Sequence, residues 1–222
     1  RLLKEKKFAR NDITQDILDS FWVTIARETL VNSREEARDA FNEIGDVTIA
    51  RISSPDIPHK TDVWWVVFSI KTPEDSENAY DKILENINKN VPDAFINGVV
   101  YSKMLKSDNM KYIFVWFKRD PSFWDIIIVW MWGIYVNILE DVSRRVWIVS
   151  RDIIMQMFKE IKAFPILKWV RGEEWIDFDK LIDNIFKLQF VFKEFKNIRE
   201  IDINPILSNS KSSVIVDAKF YL

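Results

Sequence analysis

The stretch Ile52-Ser53-Ser54-Pro55-Asp56-Ile57-Pro58-His59-Lys60-Thr61-Asp62-Val63 decides the reading of this chain. Two prolines punctuate a polar loop between two runs of strand composition, Val47 to Ile52 before it and Val63 to Ile70 after it. The loop holds the only histidine among 222 residues, next to Lys60 and close to Asp62. An imidazole there can accept a phosphoryl group on one ring nitrogen if a carboxylate orients the other. It also reads as an ordinary surface histidine, and the loop alone does not separate the two.

Outward from the loop, helical and strand patterns alternate. Ser33-Arg34-Glu35-Glu36 predicts a capping box. Ala37, Ala40, Phe41 and Ile44 follow at helical spacing, and Gly45 sits where a helix C-terminal glycine belongs. Thr72 and Pro73 predict a second helix start, with Tyr80, Ile83, Leu84 and Ile87 on one face and Pro92 closing it. Ile96 to Met104 and Tyr112 to Phe117 read as strands joined by the polar turn Lys106-Ser107-Asp108-Asn109, and Asp125 to Val129 as another. Ser150 predicts a cap for a helix burying Ile154, Met157, Phe158 and Ile161. Asp177 to Phe195 is a long amphipathic helix, and Ile201 to Ile206 and Val214 to Phe220 end the chain as strands. This order predicts α/β or α+β layers. The expected lobe boundary is Asn97-Gly98, giving lobes 1–97 and 98–222.

Composition narrows the function. Lys plus Arg total 32 and Asp plus Glu 34, so no basic footprint for duplex nucleic acid exists. The absence of cysteine excludes a thiolate zinc site and a disulfide scaffold. No secretory signal is visible. The longest apolar run, Ile126 to Leu139, falls short of the roughly 17–25 residues of a bilayer span. The expectation is a cytoplasmic protein without a membrane partner. Glycine-rich phosphate loops, a serine nucleophile elbow and H-E-x-x-H are all missing.

Glu200-Ile201-Asp202-Ile203-Asn204-Pro205 is the second notable segment. On a strand, Asp202 and Asn204 share a face with Glu200, and hard oxygens of this kind suit Mg²⁺ shared with substrate phosphates. The solvated face of an edge strand is the plainer alternative. In Asp141-Val142-Ser143-Arg144-Arg145, the Arg145 fork could clamp a phosphate or form an ordinary salt bridge.

These segments lie in one order: S-S-P-D-I-P-H-K-T-D-V (53–63), K-R-D-P-S-F (118–123), G-I-Y-V-N-I-L-E-D-V-S-R-R (133–145), E-I-K-A-F-P-I-L-K (160–168), R-G-E-E (171–174), E-I-D-I-N-P-I (200–206) and V-I-V-D-A-K (214–219). The set resembles the ATP-grasp subunit of the ADP-forming acyl-CoA synthetases, of which acetate–CoA ligase (ADP-forming) is the type member. The likeness runs from about residue 12 to 222.

The resemblance implies an α+β ATP-grasp fold, two lobes with a nucleotide cleft between them. It implies reversible conversion of acyl-CoA, ADP and phosphate to acid, CoA and ATP through phosphohistidine, with ATP/ADP and Mg²⁺ as cofactors. It also implies a CoA-binding α subunit as partner in a hetero-oligomer. By the same resemblance His59 is the phosphoryl acceptor, Asp202 and Asn204 hold Mg²⁺, and Arg145 faces the phosphates. Lys60 and Arg51 are nucleotide-binding, Arg51 in place of the family's lysine. The strand from Val99 through Tyr101 to Met104 is the hinge whose backbone meets adenine. The alternative is an ATP-grasp shape without nucleotide turnover.

That alternative comes from the departures. The family's glycines read as Trp64, Trp65, Trp116, Trp124, Trp130, Trp132 and Trp169, and another falls near Trp22. Its glutamates read as Tyr112 and Asn137. Glycine totals 4 and tryptophan 10, and indoles at 64 and 65 would occupy space that a glycine loop leaves open to phosphate.

Overall fold

The computed structural model describes residues 9, 11–54, 56–57, 65–105, 109–120, 122, 124–131, 141–146, 148–168 and 174–222. In chain order the elements are α1 (Asn11–Ser20), β1 (Glu28–Val31), α2 (Arg34–Ile44), β2 (Thr48–Ser53), β3 (Val66–Ile70), α3 (Pro73–Asn90) and β4 (Gly98–Lys103). They continue as β5 (Lys111–Asp120), β6 (Trp124–Met131), β7 (Val142–Val146), α4 (Arg151–Glu160), α5 (Phe164–Lys168), α6 (Phe178–Glu194), β8 (Glu200–Ser208), β9 (Ser213–Ile215) and β10 (Ala218–Tyr221). None of the described helices is long and apolar enough to cross a membrane.

Contacts divide the chain into Arg27–Lys106 and a second unit made of Arg1–Ala26 with Ser107–Leu222. This moves the boundary expected at 97/98. The reason is β4, which lies inside the sheet β1-β4-β2-β3 and pairs antiparallel with both neighbours. β4 and β5, read as consecutive strands joined by a polar turn, do not pair with each other, because β5 belongs to the other sheet.

In Arg27–Lys106 the local rules act as read. Ser33 Oγ accepts from the Glu36 N–H at 3.1 Å, while the Glu36 carboxylate reaches back to the Asn32 N–H at 2.6 Å, one residue before the expected partner. Gly45 ends α2 at φ +64°, and Thr72 Oγ1 caps α3 by accepting from the Asp75 N–H at 3.0 Å. Strand alternation buries Thr48, Ala50 and Ile52 and turns Ile49, Arg51 and Ser53 to the other face. Ala37, Ala40, Ile83 and Ile87 of the helices close over Ala50, Ile52, Val99 and Tyr101. Gly98 is required where it stands: at φ +145° a β-carbon would lie 2.7 Å from both Asn32 Oδ1 and the Val31 carbonyl.

The second unit builds on the sheet β10-β8-β5-β6-β7, with β9 added on β8. Its helices share one core with one sheet face, through Leu18, Phe158, Leu188 and Phe192 against Val115, Phe117, Ile127, Ile201 and Phe220. The terminal strand expected over 214–220 is two strands, β9 and β10, separated at Val216 and Asp217.

Candidate functional site

Period-two alternation sorts the residues of interest by sheet face. In Arg27–Lys106, Arg51 shares the helix-free face with Glu28, and the two form an ion pair in which both side chains are largely buried. It stands in the cross-strand row Leu30, Val100, Arg51, Val66. Burial of such a pair fixes the guanidinium in position, since separating the charges would strand one of them away from water. Glu28 escaped the sequence reading because β1 is only four residues long and carries no clear alternation.

Val99 and Tyr101 do not fit the adenine-contacting role. Both side chains are fully buried in the helix-side core, and the Tyr101 hydroxyl donates to the Ser76 carbonyl at 2.7 Å. Their backbone lies between two ladders, which use its N–H and C=O groups. Met104, just beyond the strand, donates its N–H to the Val47 carbonyl at 2.8 Å, and its sulfur accepts from Ser69 Oγ at 3.6 Å.

In the other unit, Ile201 and Ile203 point into the core while Asp202 and Asn204 take the opposite, helix-free face, as the strand parity predicts. Asn204 is exposed, and its N–H donates to the Asp217 carbonyl at 3.0 Å. One row of the sheet reads Lys219, Asp202, Trp116, Ile128, Arg144 across five strands. On the same face Lys118 Nζ lies 5.5 Å from the Trp116 ring, and Trp130 stacks on Phe114 with ring centroids 5.3 Å apart.

Arg145 is not brought to Asp202. Its register partner is Ile127, on the helix-packed face. There it pairs with Glu160 of α4, whose carboxylate also accepts from Ser143 Oγ at 2.7 Å. Arg145 and then Ser143 hold the Glu160 carboxyl below its ordinary value. The arginine on the Asp202 face is Arg144, which sequence reasoning passed over. With β7 unassigned, nothing fixed which of two adjacent arginines faced which way.

Asp202 and Asn204 fit a magnesium ion. They present two hard oxygens from alternate positions of one strand face. Among the described residues no three carboxylate or histidine side chains converge as a closed cage. Mg²⁺ typically takes one or two protein oxygens and fills its shell with water and phosphate. Negative charge also concentrates here: burial raises the Tyr221 hydroxyl's pKa, and Asp202, Glu200 and Asp217 push it the same way. His59, Lys60 and Trp64 lie outside the described residues; Trp65 is buried in the core of Arg27–Lys106.

A model of the ATP-grasp domain matches residues 2–222. The chain belongs to the ATP-grasp family. It is 35% identical over 208 residues to the Pyrococcus furiosus acetate–CoA ligase [ADP-forming] I subunit beta, covering 94% of this chain and 89% of that subunit. Two solved structures of Ca. Korarchaeum cryptofilum dinucleotide-forming acetyl-coenzyme A synthetase 1 are also similar. One, in complex with coenzyme A, Ca-AMPCP and HgCl+, has 30% identity and a TM-score of 0.87 and covers 94% of this chain and 90% of that one. The other holds coenzyme A and Mg-AMPPCP, with a phosphohistidine segment pointing towards the nucleotide binding site. It has 27% identity and a TM-score of 0.82 and covers 97% of this chain and 93% of that one. The ATP-grasp fold, with its helices and antiparallel sheets, is thus common to this chain and to those structures.

Proposed function

We propose that this ATP-grasp chain is the β subunit of an ADP-forming acyl-CoA synthetase, working in the cytoplasm with a CoA-binding α subunit in a hetero-oligomer. The observation that carries this is the likeness to the Pyrococcus subunit along nearly the full length of both chains. Acyl-CoA, ADP and phosphate are interconverted with acid, CoA and ATP, and acyl transfer takes place on the α subunit. His59 accepts the phosphoryl group on a ring nitrogen and yields it to ADP, the N–P bond breaking as the new O–P bond forms. Arg51 and Lys60 supply cationic partners for nucleotide phosphates. Adenine contacts fall to the backbone from Met104 onward rather than to Val99 or Tyr101. Asp202 and Asn204 are the residues that would hold Mg²⁺, which when bound neutralises phosphate charge. Arg145 supports β7 through Glu160.

The test is acyl-CoA-dependent ATP formation after mixing with the α subunit. His59→Ala is expected to abolish turnover with folding intact, and unchanged turnover removes His59 from the relay. No ATP formation by the unaltered chain with its partner, together with no Mg-ATP binding by calorimetry, would favour the non-catalytic alternative suggested by Trp64 and Trp65.

A further inference from the structure

Helix α1 ends in a full Schellman turn. The Trp22 N–H donates to the Asp19 carbonyl at 2.9 Å and the Val23 N–H to the Leu18 carbonyl at 3.0 Å, with Leu18 and Val23 both buried. Trp22 occupies the position just past the helix cap, at φ +59°, where the left-handed backbone usually calls for glycine. The chain supplies its own comparison: α2 ends with Gly45 at φ +64°, whose N–H donates to the Phe41 carbonyl at 3.0 Å.

The β5–β6 hairpin repeats the pattern. Trp124 is paired with Asp120 and brings the chain back into the ladder at φ +75°, a conformation hairpins commonly give to glycine. The described non-glycine residues with left-handed φ are Trp22, Ser69, Asn109 and Trp124. For any L residue the β-carbon crowds the following carbonyl there. Burying a large ring could offset this, yet Trp22 is 80% exposed and Trp124 79%. Both sites therefore carry the backbone penalty without the burial that makes an indole worthwhile. Four glycines beside ten tryptophans invert the usual abundance of the two residues.

We propose that the chain as made in its own cell carries glycine at positions 22 and 124, because one codon read here as tryptophan is decoded there as glycine. The codon UGA qualifies: it is one base from UGG for tryptophan and one base from GGA for glycine. A single decoding rule accounts for both sites with no local advantage of the indole. This inference stands apart from the proposed function and fails or holds separately from it.

The deciding experiment is peptide mass spectrometry on the protein isolated from its source cells. Glycine-bearing peptides at 22 and 124 are expected, and tryptophan at either position overturns the proposal. A recombinant series checks the physical half. Trp22→Gly and Trp124→Gly should each raise the unfolding midpoint by about 2–4 °C. Trp22→Ala and Trp124→Ala, which lose the ring but keep the β-carbon, should gain less. Glycine variants no more stable than the starting chain would show that the backbone makes no such demand.

Discussion

Single residues set the sharpest constraints. Tyr101 is buried with its hydroxyl on the Ser76 carbonyl, and burial pushes it up to about 12. The folded-state value lies above the ordinary value near 10. Its contribution is therefore fully present below about pH 10 and is lost as pH rises through about 12, a change of about 2–3 kcal/mol. Tyr101→Phe should cost about 1 kcal/mol at pH 8 and weaken the alkaline loss, measured by urea unfolding at pH 8 and 11. Gly98→Ala should be harsher, roughly 2–4 kcal/mol, because its new β-carbon meets Asn32 Oδ1 and the Val31 carbonyl at 2.7 Å. Thermal melts would register it, and an unshifted midpoint would mean that β1 yields to make room. The glycine's place on a strand was legible in the sequence. The close approach of Asn32 was not, since β1 escaped notice.

At the scale of elements, caps and faces were the readable part. Ser33, Thr72 and Ser150 cap the helices expected of them, because a side-chain oxygen meeting an orphan N–H is a local event, and Asp177, read as the first residue of its helix, is the cap just before it. Asp177 accepts from the Lys180 N–H at 3.0 Å, so Asp177→Ala should cost about 1 kcal/mol by chemical denaturation. Short β1 was missed because its partner β4 lies far along the chain, and five-residue β7 was missed although it pairs with the preceding β6. The arginine facing the acids was misjudged because, with β7 unassigned, parity could not be applied to Arg144 and Arg145. Arg145 pairs with Glu160 of α4, and this lowers the Glu160 carboxyl below its ordinary 4.5. Its stabilising contribution is present above about pH 4.5 and is lost as pH falls through the lowered folded-state value. Glu160→Gln should flatten the acid limb of the stability profile in that window, followed by circular dichroism; an identical limb would mean the pair contributes nothing there.

The molecule as a whole was legible in class but not in partition. Co-linear motifs carried the ATP-grasp reading from sequence, yet the cut at 97/98 placed β4 in the wrong lobe, because strand order within a sheet depends on pairing that chain order does not reveal. Asp202 and Asn204 fall on one helix-free face as expected, since both sit on one strand, where parity alone assigns the face. Asp202→Asn should lower ATP formation with the α subunit by at least about tenfold, read beside a thermal melt that shows the variant folded. Full activity would show that the cation is held elsewhere. One feature of the partition also sets a sequence of events in time. Residues 9–26 pack with 109–222, and the Ala26 N–H donates to the Ile215 carbonyl. On the ribosome α1 therefore emerges long before its acceptors, and waits roughly 10–40 s for them at ordinary elongation speeds. The unit of Arg27–Lys106 can close during that interval, while Leu18 on the amphipathic α1 stays without its core, leaving that helix a natural client for a chaperone until β8, β9 and β10 arrive.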